Sequence, residues 1–571
     1  MSWNNPNFWT MSTMVFLGYR DLYEDFDTTN LGDLLAGAPS IDILNSISFI
    51  NAQIHHPNHV KFQEKLFEMF SGYVPKPEFN KAIRFIRDNK ARGTYFGIVN
   101  NYSSCIIYRW VMENLNEQPE GSIIPAQEYN LFKAYLYANQ IWIDRQYIPD
   151  FDFDSIDVYI RNILPIALPY NEFAVFKDFR YQYYRASEFF KFCLDDEDFE
   201  RYLNLFLAEN GLTRWEEYIN QLISSYIRDL KPPRTTHRLK VTEEGVRTML
   251  DNLAVNNRKI LNEPDFLELR SYPIYKLSDD EYIFLNLNFF VDKVFNAIQF
   301  QFAQLLVSNN ETYRGKLIKN AIQFFGILGQ AFPERYLNHV LYSSLSENND
   351  YVIYSEKDLI QRGWVEGTPD FYIRYKTKVF IVELKNVLMS AKVKHSNDFD
   401  IIQAHLKEKF VSDKNGKDEG VSQIVNSINS IKDGVMIDID QFDTASATYY
   451  PIIVYTDFNH SLPGVNYNLN QELRQVAEER TEAPHKIKDL VLIHIDDLTH
   501  LMDCMRAKKV DFRRTINDYL SYVQSNSKKT RAVYYREGTT SFSYYLKGLE
   551  KAKPCFSLDA FIQKIEEILN G

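Results

Sequence analysis

The stretch GTPDFYIRYKTKVFIVELKN, Gly367 to Asn386, carries three side chains whose types suit one reaction: Asp370, Glu383 and Lys385. Side chains alternate along a strand, so Glu383 and Lys385 share a face, with Leu384 expected buried on the other. With Thr377-Lys378 as a turn, FYIRY and KVFIVELK become antiparallel neighbours. Asp370 then falls beside the end that carries Glu383, and two carboxylates meet an ammonium at one sheet edge. Carboxylate oxygens are hard donors suited to Mg2+, which keeps positions open for water and a phosphate oxygen. A lysine there can orient or help deprotonate the attacking water, or stabilise charge building at phosphorus. The chemistry expected is metal-dependent phosphodiester hydrolysis, with Mn2+ as a substitute metal. Taken alone the pattern is short, and a surface aspartate with a rim ion pair satisfies it too.

The surrounding elements must place these groups. From about residue 311 the sequence reads as helix, three strands, helix, strand and a final strand. A helical stretch is expected from Tyr313 toward Phe325, and a second in PERYLNHVLYSSL, where Pro333 suits a first turn. DYVIYSE, DFYIRY and KVFIVELK are the three strands. Residues 392–420 read as a polar, lysine-rich excursion, and VSQIVNSINSIKDG as a helix with a glycine stop. YYPIIVYTD and DLVLIHID are near-continuous apolar runs, as for strands covered on both faces.

This order, with Pro369-Asp370 and Glu383-Leu384-Lys385 and twelve residues between the acids, resembles the PD-(D/E)XK nuclease superfamily. The resemblance covers about a third of the chain. It implies a restriction-endonuclease-like core with a mixed central sheet and Mg2+-dependent cleavage, most readily of DNA. It implies a further acid from the first core helix, for which Glu334 is the candidate, and a polar residue on the helix after the third strand, for which Gln423 is. Asp370, Glu383 and Glu334 would then hold the metal. Homodimerisation is implied too, because cutting both strands of a duplex often takes two sites. An exposed first-turn glutamate and a plain surface amide account for Glu334 and Gln423 as well.

The rest of the chain calls for an α+β, multidomain protein. At 571 residues it exceeds one ordinary core. Residues 1–230 read as mainly helical, as in FQEKLFEMFSGY, WEEYINQLISSYIRDL and DDEDFERYLNLFLAENG. They carry 20 basic and 31 acidic residues, an excess suited to a partner protein or to regulation rather than to nucleic acid. KPPRTTHRLK, Lys231 to Lys240, is the expected boundary, and 231–310 a linker with a small subdomain. In it FLELRSYPIYKLSDDEYIF reads as two strands, a turn at Ser278-Asp279-Asp280 and a third strand, before a long apolar helix. Residues 311–571 complete the nuclease domain. Within them Cys504 to Pro554 holds 12 basic and 4 acidic residues, with Arg513-Arg514, Lys528-Lys529 and Arg531 as a candidate phosphate track.

Other features point nowhere as sharply. His55, His56 and His59 lack a supporting ligand, and a polar loop around Pro57 explains them. Lys392, Lys394 and His395 follow the motif and could reach a phosphate, or simply form a solvated loop. The four isolated cysteines (Cys105, Cys193, Cys504, Cys555) fit a reducing, cytoplasmic setting without structural zinc. No apolar run reaches the ~20 residues of a membrane span, and no Walker A, GxGxxG or GxSxG motif is present. Bacterial restriction or anti-phage defence follows by analogy. Two alternatives stay open: a catalytically silent scaffold in a larger assembly, and an RNase.

Overall fold

The computed structural model describes residues 14–54, 59–91, 95–116, 118–145, 155–174, 178–230, 238–256, 263–364, 367–526 and 537–549. The fold is α+β, and the chain forms two compact units: Met1–Pro149 with Phe173–Gln323, and Asp150–Glu172 with Phe324–Gly571. Among the described residues no helix is long and apolar enough to cross a membrane.

The first unit is mainly helical. Its helix Glu197–Glu209 shows why: Asp196 accepts from the N–H groups of Asp198 and Phe199, and Gly211 ends the run at φ +65°. A short parallel pair, Met14–Phe16 with Tyr95–Gly97, is tied by Asn139. The Asn139 amide donates to the Leu17 and Ile98 carbonyls at 2.9 and 2.7 Å and accepts from Asn100 and Ser103. The expected boundary at 231–240 lies inside this unit, because Arg238–Lys240 pairs with Glu281–Phe284 in a three-stranded sheet. The hairpin across 278–280 forms as expected. The preceding FLEL does not form a strand: Leu267–Ser271 is a helical turn, with Leu269 buried and Leu267 and Glu268 outward. The apolar run after the hairpin breaks into two helices, Leu287–Asp292 and Ile298–Ser308.

The second unit carries the central sheet. Its elements are α1 (Ile156–Ala167), α2 (Ala321–Leu345, begun in the first unit), β1 (Val352–Ser355), α3 (Glu356–Gln361), β2 (Phe371–Tyr375), β3 (Lys378–Lys385), α4 (Phe399–Phe410), α5 (Gly420–Lys432), β4 (Thr448–Tyr455), α6 (Val465–Arg480), β5 (Val491–His494), α7 (Ile495–Arg506) and α8 (Phe512–Asn526). The sheet runs β5-β4-β3-β2-β1, antiparallel from β1 to β3 and parallel from β3 to β5. One face, with Tyr372, Val379, Ile381, Tyr449 and Ile453, packs in one cluster with residues of α1, α4, α5 and α6. Ile156, Ile160, Leu164 and Leu168 join it at a spacing of four, which draws a piece of the N-terminal region into this unit.

Three local expectations give way. The stretch from Tyr313 is a tight hairpin, Thr312–Tyr313 with Lys316–Leu317, turned by Arg314 and Gly315 at φ +48° and +75°. The two helices expected next are one, α2, with Pro333 inside it. The excursion 392–420 is not irregular: it contains Ala391–Lys394 and α4, whose Ile402, Leu406 and Phe410 are buried at helical spacing.

Candidate active site

The β2–β3 hairpin does bring the motif together. Its last pair is Val382 with Phe371, so Asp370 and Glu383 come next along the ladder. The backbone N–H of Leu384 donates to Asp370 Oδ2 at 2.6 Å, which fixes the carboxylate at the strand end. Leu384 itself is only half-buried, against the expectation that it fills the opposite face. Glu383 is 4 % exposed and Lys385 8 %.

Lys385 points at α5. Its Nζ donates to Glu419 Oε2 at 2.5 Å and to Gln423 Oε1 at 2.7 Å. Gln423 was expected on this helix. Glu419, the N-cap residue of α5, was not. Gly420 makes the approach feasible: it sits at φ +30°, and a Cβ there would lie 2.8 Å from the Phe410 carbonyl oxygen and 3.2 Å from Lys385 Cε.

Four carboxyl groups around this point titrate high. Glu383 is held well above the usual carboxylate range by burial first and then by the charge of Asp370. Burial raises Asp370, opposed by the Leu384 N–H and by Lys385, and its carboxyl shares a hydrogen bond with that of Glu383. Glu334, on α2, is raised by burial and by Glu356 and Asp370. Glu356 is raised by burial and by Asp370. Glu334 therefore stands in the charge cluster, as expected. Glu356 was not foreseen: it opens α3, and its N–H donates to the Asp370 carbonyl at 3.0 Å. The sequence signal was the capping box Ser355-Glu-Lys-Asp358, which ends β1 beside Asp370.

The donor chemistry fits a hard divalent cation. All these groups are carboxylates, and their raised pKa values mark crowded negative charge that Lys385 offsets only in part. Among the described residues, no three His, Cys, Asp or Glu side chains close on one point as a ready metal-binding group. The three side chains expected to hold a metal, Asp370, Glu383 and Glu334, therefore do not form such a group.

The other candidates fall elsewhere. Lys394 is buried, with Nζ 3.4 Å from Glu172 Oε1, so it is neither solvated nor free for a phosphate. Arg513 and Arg514 open α8, near the start of β3 rather than its end. His55, His56, Lys528, Lys529, Arg531 and Cys555 lie outside the described residues, and His59 lies in helix His59–Ser71. Cys105 and Cys193 are free, but Cys504 is disulfide-bonded, against the reading of four isolated cysteines. One unforeseen histidine packs near the site. His460 follows β4, is 1 % exposed, and neither ring nitrogen has a hydrogen-bond partner. Its ring lies 4.9 Å from that of Phe410, whose carbonyl crowds Gly420, and burial pushes its pKa down to about 4.

No family model matches the chain, and neither a curated protein nor a solved structure does.

Proposed function

We propose that the chain is a Mg2+-dependent nuclease with a restriction-endonuclease-like core of the PD-(D/E)XK kind, hydrolysing phosphodiester bonds of DNA in bacterial restriction or anti-phage defence. One observation carries this reading: the buried carboxyl of Glu383 and the half-buried one of Asp370 lie against each other beside Lys385 at one strand end. Buried like charges cost folding free energy, so their persistence calls for a role.

A bound divalent ion would supply Lewis acidity toward a phosphate oxygen and an acidified water. The chain's own groups do the rest. Asp370, its Oδ2 fixed by the Leu384 N–H, would help to hold the ion together with Glu383 and Glu334. Lys385 has three N–H donors. Two are held by Glu419 and Gln423, so the third has a fixed direction in which to meet a phosphate oxygen or the attacking water. Glu419 and Gln423 thus position Lys385 without touching substrate.

A scaffold without catalysis is the second reading, favoured by the lack of a ready metal-binding group among the described residues. The acidic residues 1–230 suit a partner protein or a regulator that opposes approach of nucleic acid. A homodimer completes the proposal; the cytoplasmic setting loses the support of isolated cysteines, since Cys504 is disulfide-bonded, and RNA remains the alternative substrate.

The test is cleavage of plasmid, linear DNA and RNA with Mg2+ or Mn2+, comparing wild type with Asp370→Asn and Lys385→Ala. Metal-dependent cutting lost in both variants supports the nuclease and its site. Cutting retained in both sinks the assignment. Wild-type protein inert on all substrates, also with co-purifying partners, favours the scaffold.

A further inference from the structure

The first residue of β3 sits in a setting opposite in sign to its last. Val379 and Ile381 join the cluster formed with α4, α5 and α6. Alternation therefore puts Lys378 on the other face with Phe380, whose ring meets Phe512 of α8 at 5.4 Å. Tyr375 stands directly opposite Lys378 in the antiparallel pair, so the two share that face. The Arg513 guanidinium lies over the Tyr375 ring, 4.4 Å from its centroid. Lys488 reaches the same face from beyond β4. Ile487 bridges to Tyr449 and belongs to the buried cluster, so the next side chain points away from it, and the Lys488 N–H donates to the Tyr449 carbonyl at 2.8 Å.

Three cations thus meet on one patch. Among the described residues, the charged groups that face Lys378 are Arg513 and Lys488, both repulsive, and a single acid, Asp511. Asp511 is already engaged. Its Oδ1 accepts from Arg513 Nε at 3.3 Å and from the Arg514 N–H at 2.7 Å, and its Oδ2 from the Tyr351 hydroxyl at 3.0 Å. Lys378 is half-buried, and among the described residues neither it nor Lys488 forms an ion pair. Burial, Arg513 and Lys488 all lower the pKa of Lys378. Among the described residues, a half-buried ammonium facing two other cations has only the already engaged Asp511 as counter-charge.

We propose that Lys378, Lys488 and Arg513 form a phosphate-binding site, on the opposite face of the sheet and at the opposite end of β3 from the carboxylates. Two compact ammonium groups and a guanidinium held flat by Tyr375 match the several acceptor oxygens of one phosphate. The phosphate belongs either to a nucleic-acid strand or to a small phosphorylated molecule. The site does not depend on hydrolysis at Asp370.

Amine acetylation of the full chain, read by peptide mass spectrometry in EDTA, tests this. The probes are inorganic phosphate and a short DNA duplex, at matched ionic strength with chloride. The expected result is that phosphate slows modification of Lys378 and Lys488 by roughly tenfold, as occupancy near saturation requires, and leaves exposed Lys414 unchanged. Protection by duplex at far lower concentration than phosphate assigns the site to a nucleic-acid strand. Protection by phosphate with none by duplex assigns it to a small phosphorylated molecule. Equal modification of Lys378 with and without both probes overturns the proposal. Arg513→Gln, which leaves both lysines as reporters, should abolish the protection, and protection that survives it overturns the three-residue site. DNA that protects Lys378 yet stays uncut with Mg2+ would sink the nuclease reading and leave this one standing.

Discussion

The two ends of β3 are electrostatic opposites. At its C-terminal end Asp370, Glu383, Glu334 and Glu356 crowd together, and Lys385 is the cation that offsets Asp370 and Glu383. At its N-terminal end, roughly 23 Å away at 3.3 Å per residue, Lys378 faces Lys488, Arg513 and Asp511. Neither arrangement serves folding, since like charges brought close together repel. The polar network of Asn139 in the first unit is the contrast, where every amide atom has its partner. Satisfied burial is architecture. Unsatisfied charge of one sign names the sign of what is missing: a cation at one end, an anion at the other.

The sharpest test of that contrast is Glu383→Gln. Activity should fall at least 100-fold, as for loss of a group acting directly on the transition-state charge. Stability should rise by about 1–2 kcal/mol at pH above the raised pKa of Glu383, where a buried like charge is replaced by a neutral isostere, and change little below it. Cleavage rate and urea unfolding of the same preparation check both halves. A variant that loses activity and stability together would mean that the carboxyl is structural.

His460 tests a third setting near the acidic end, a neutral group buried without partners. Its folded pKa of about 4 lies below the ordinary 6.5, so the folded chain binds fewer protons than the unfolded one. Its contribution is therefore complete above pH 6.5 and is lost as pH falls toward 4, by roughly 3 kcal/mol in all. The raised carboxyls act in the other direction, since protonating them on acidification relieves repulsion. Comparing wild type with His460→Leu isolates the histidine: unfolding free energies should converge or cross between pH 6.5 and 4, with the variant the less acid-sensitive. Parallel curves would place the ring in contact with water.

Gly420→Ala perturbs the acidic end through packing and backbone strain, since Gly420 sits at φ +30°. The added carbon meets the Phe410 carbonyl oxygen, which is backbone and cannot swing aside, and then Lys385 Cε. Destabilisation of about 1–3 kcal/mol is expected, as for an overpacked core. With Glu419 and Gln423 shifted relative to Lys385, kcat should fall while KM for DNA changes little. An unchanged kcat would separate Lys385 from its two acceptors functionally.

How much of this was legible in the sequence follows the range of the forces involved. The β2–β3 hairpin was readable because alternation, turn and motif all lie within twenty residues. Gln423 was readable by resemblance. Glu356 and Glu419 were not, although each begins a helix, because a capping residue reveals its local job and not what its carboxylate faces across the fold. α4 was missed since its polar face, rich in lysine, hid Ile402, Leu406 and Phe410. Residues 150–172 could not be assigned to the second unit, because a stripe such as Ile156, Ile160, Leu164 and Leu168 says that something covers it and not what. Lys378 was read as half of a turn. Its neighbours Lys488 and Arg513 lie more than a hundred residues further on, and only the sheet register unites them.

The smallest effect is the most discriminating at the basic end. Lys378→Gln removes one of three repelling charges and keeps most of the side-chain stem. At a half-buried site the gain should be roughly 0.5 kcal/mol or less, and it should shrink as salt screens the repulsion. Asp511→Asn should do the reverse, because it removes the one acid that Arg513 and Lys378 share. Thermal unfolding of both variants at low and high chloride measures the pair. Opposite signs that both fade with salt would establish the end as a true like-charge cluster. A Lys378→Gln variant less stable than wild type at every salt concentration would show that the ammonium is paired in solution, and the symmetry between the two ends of β3 would be broken.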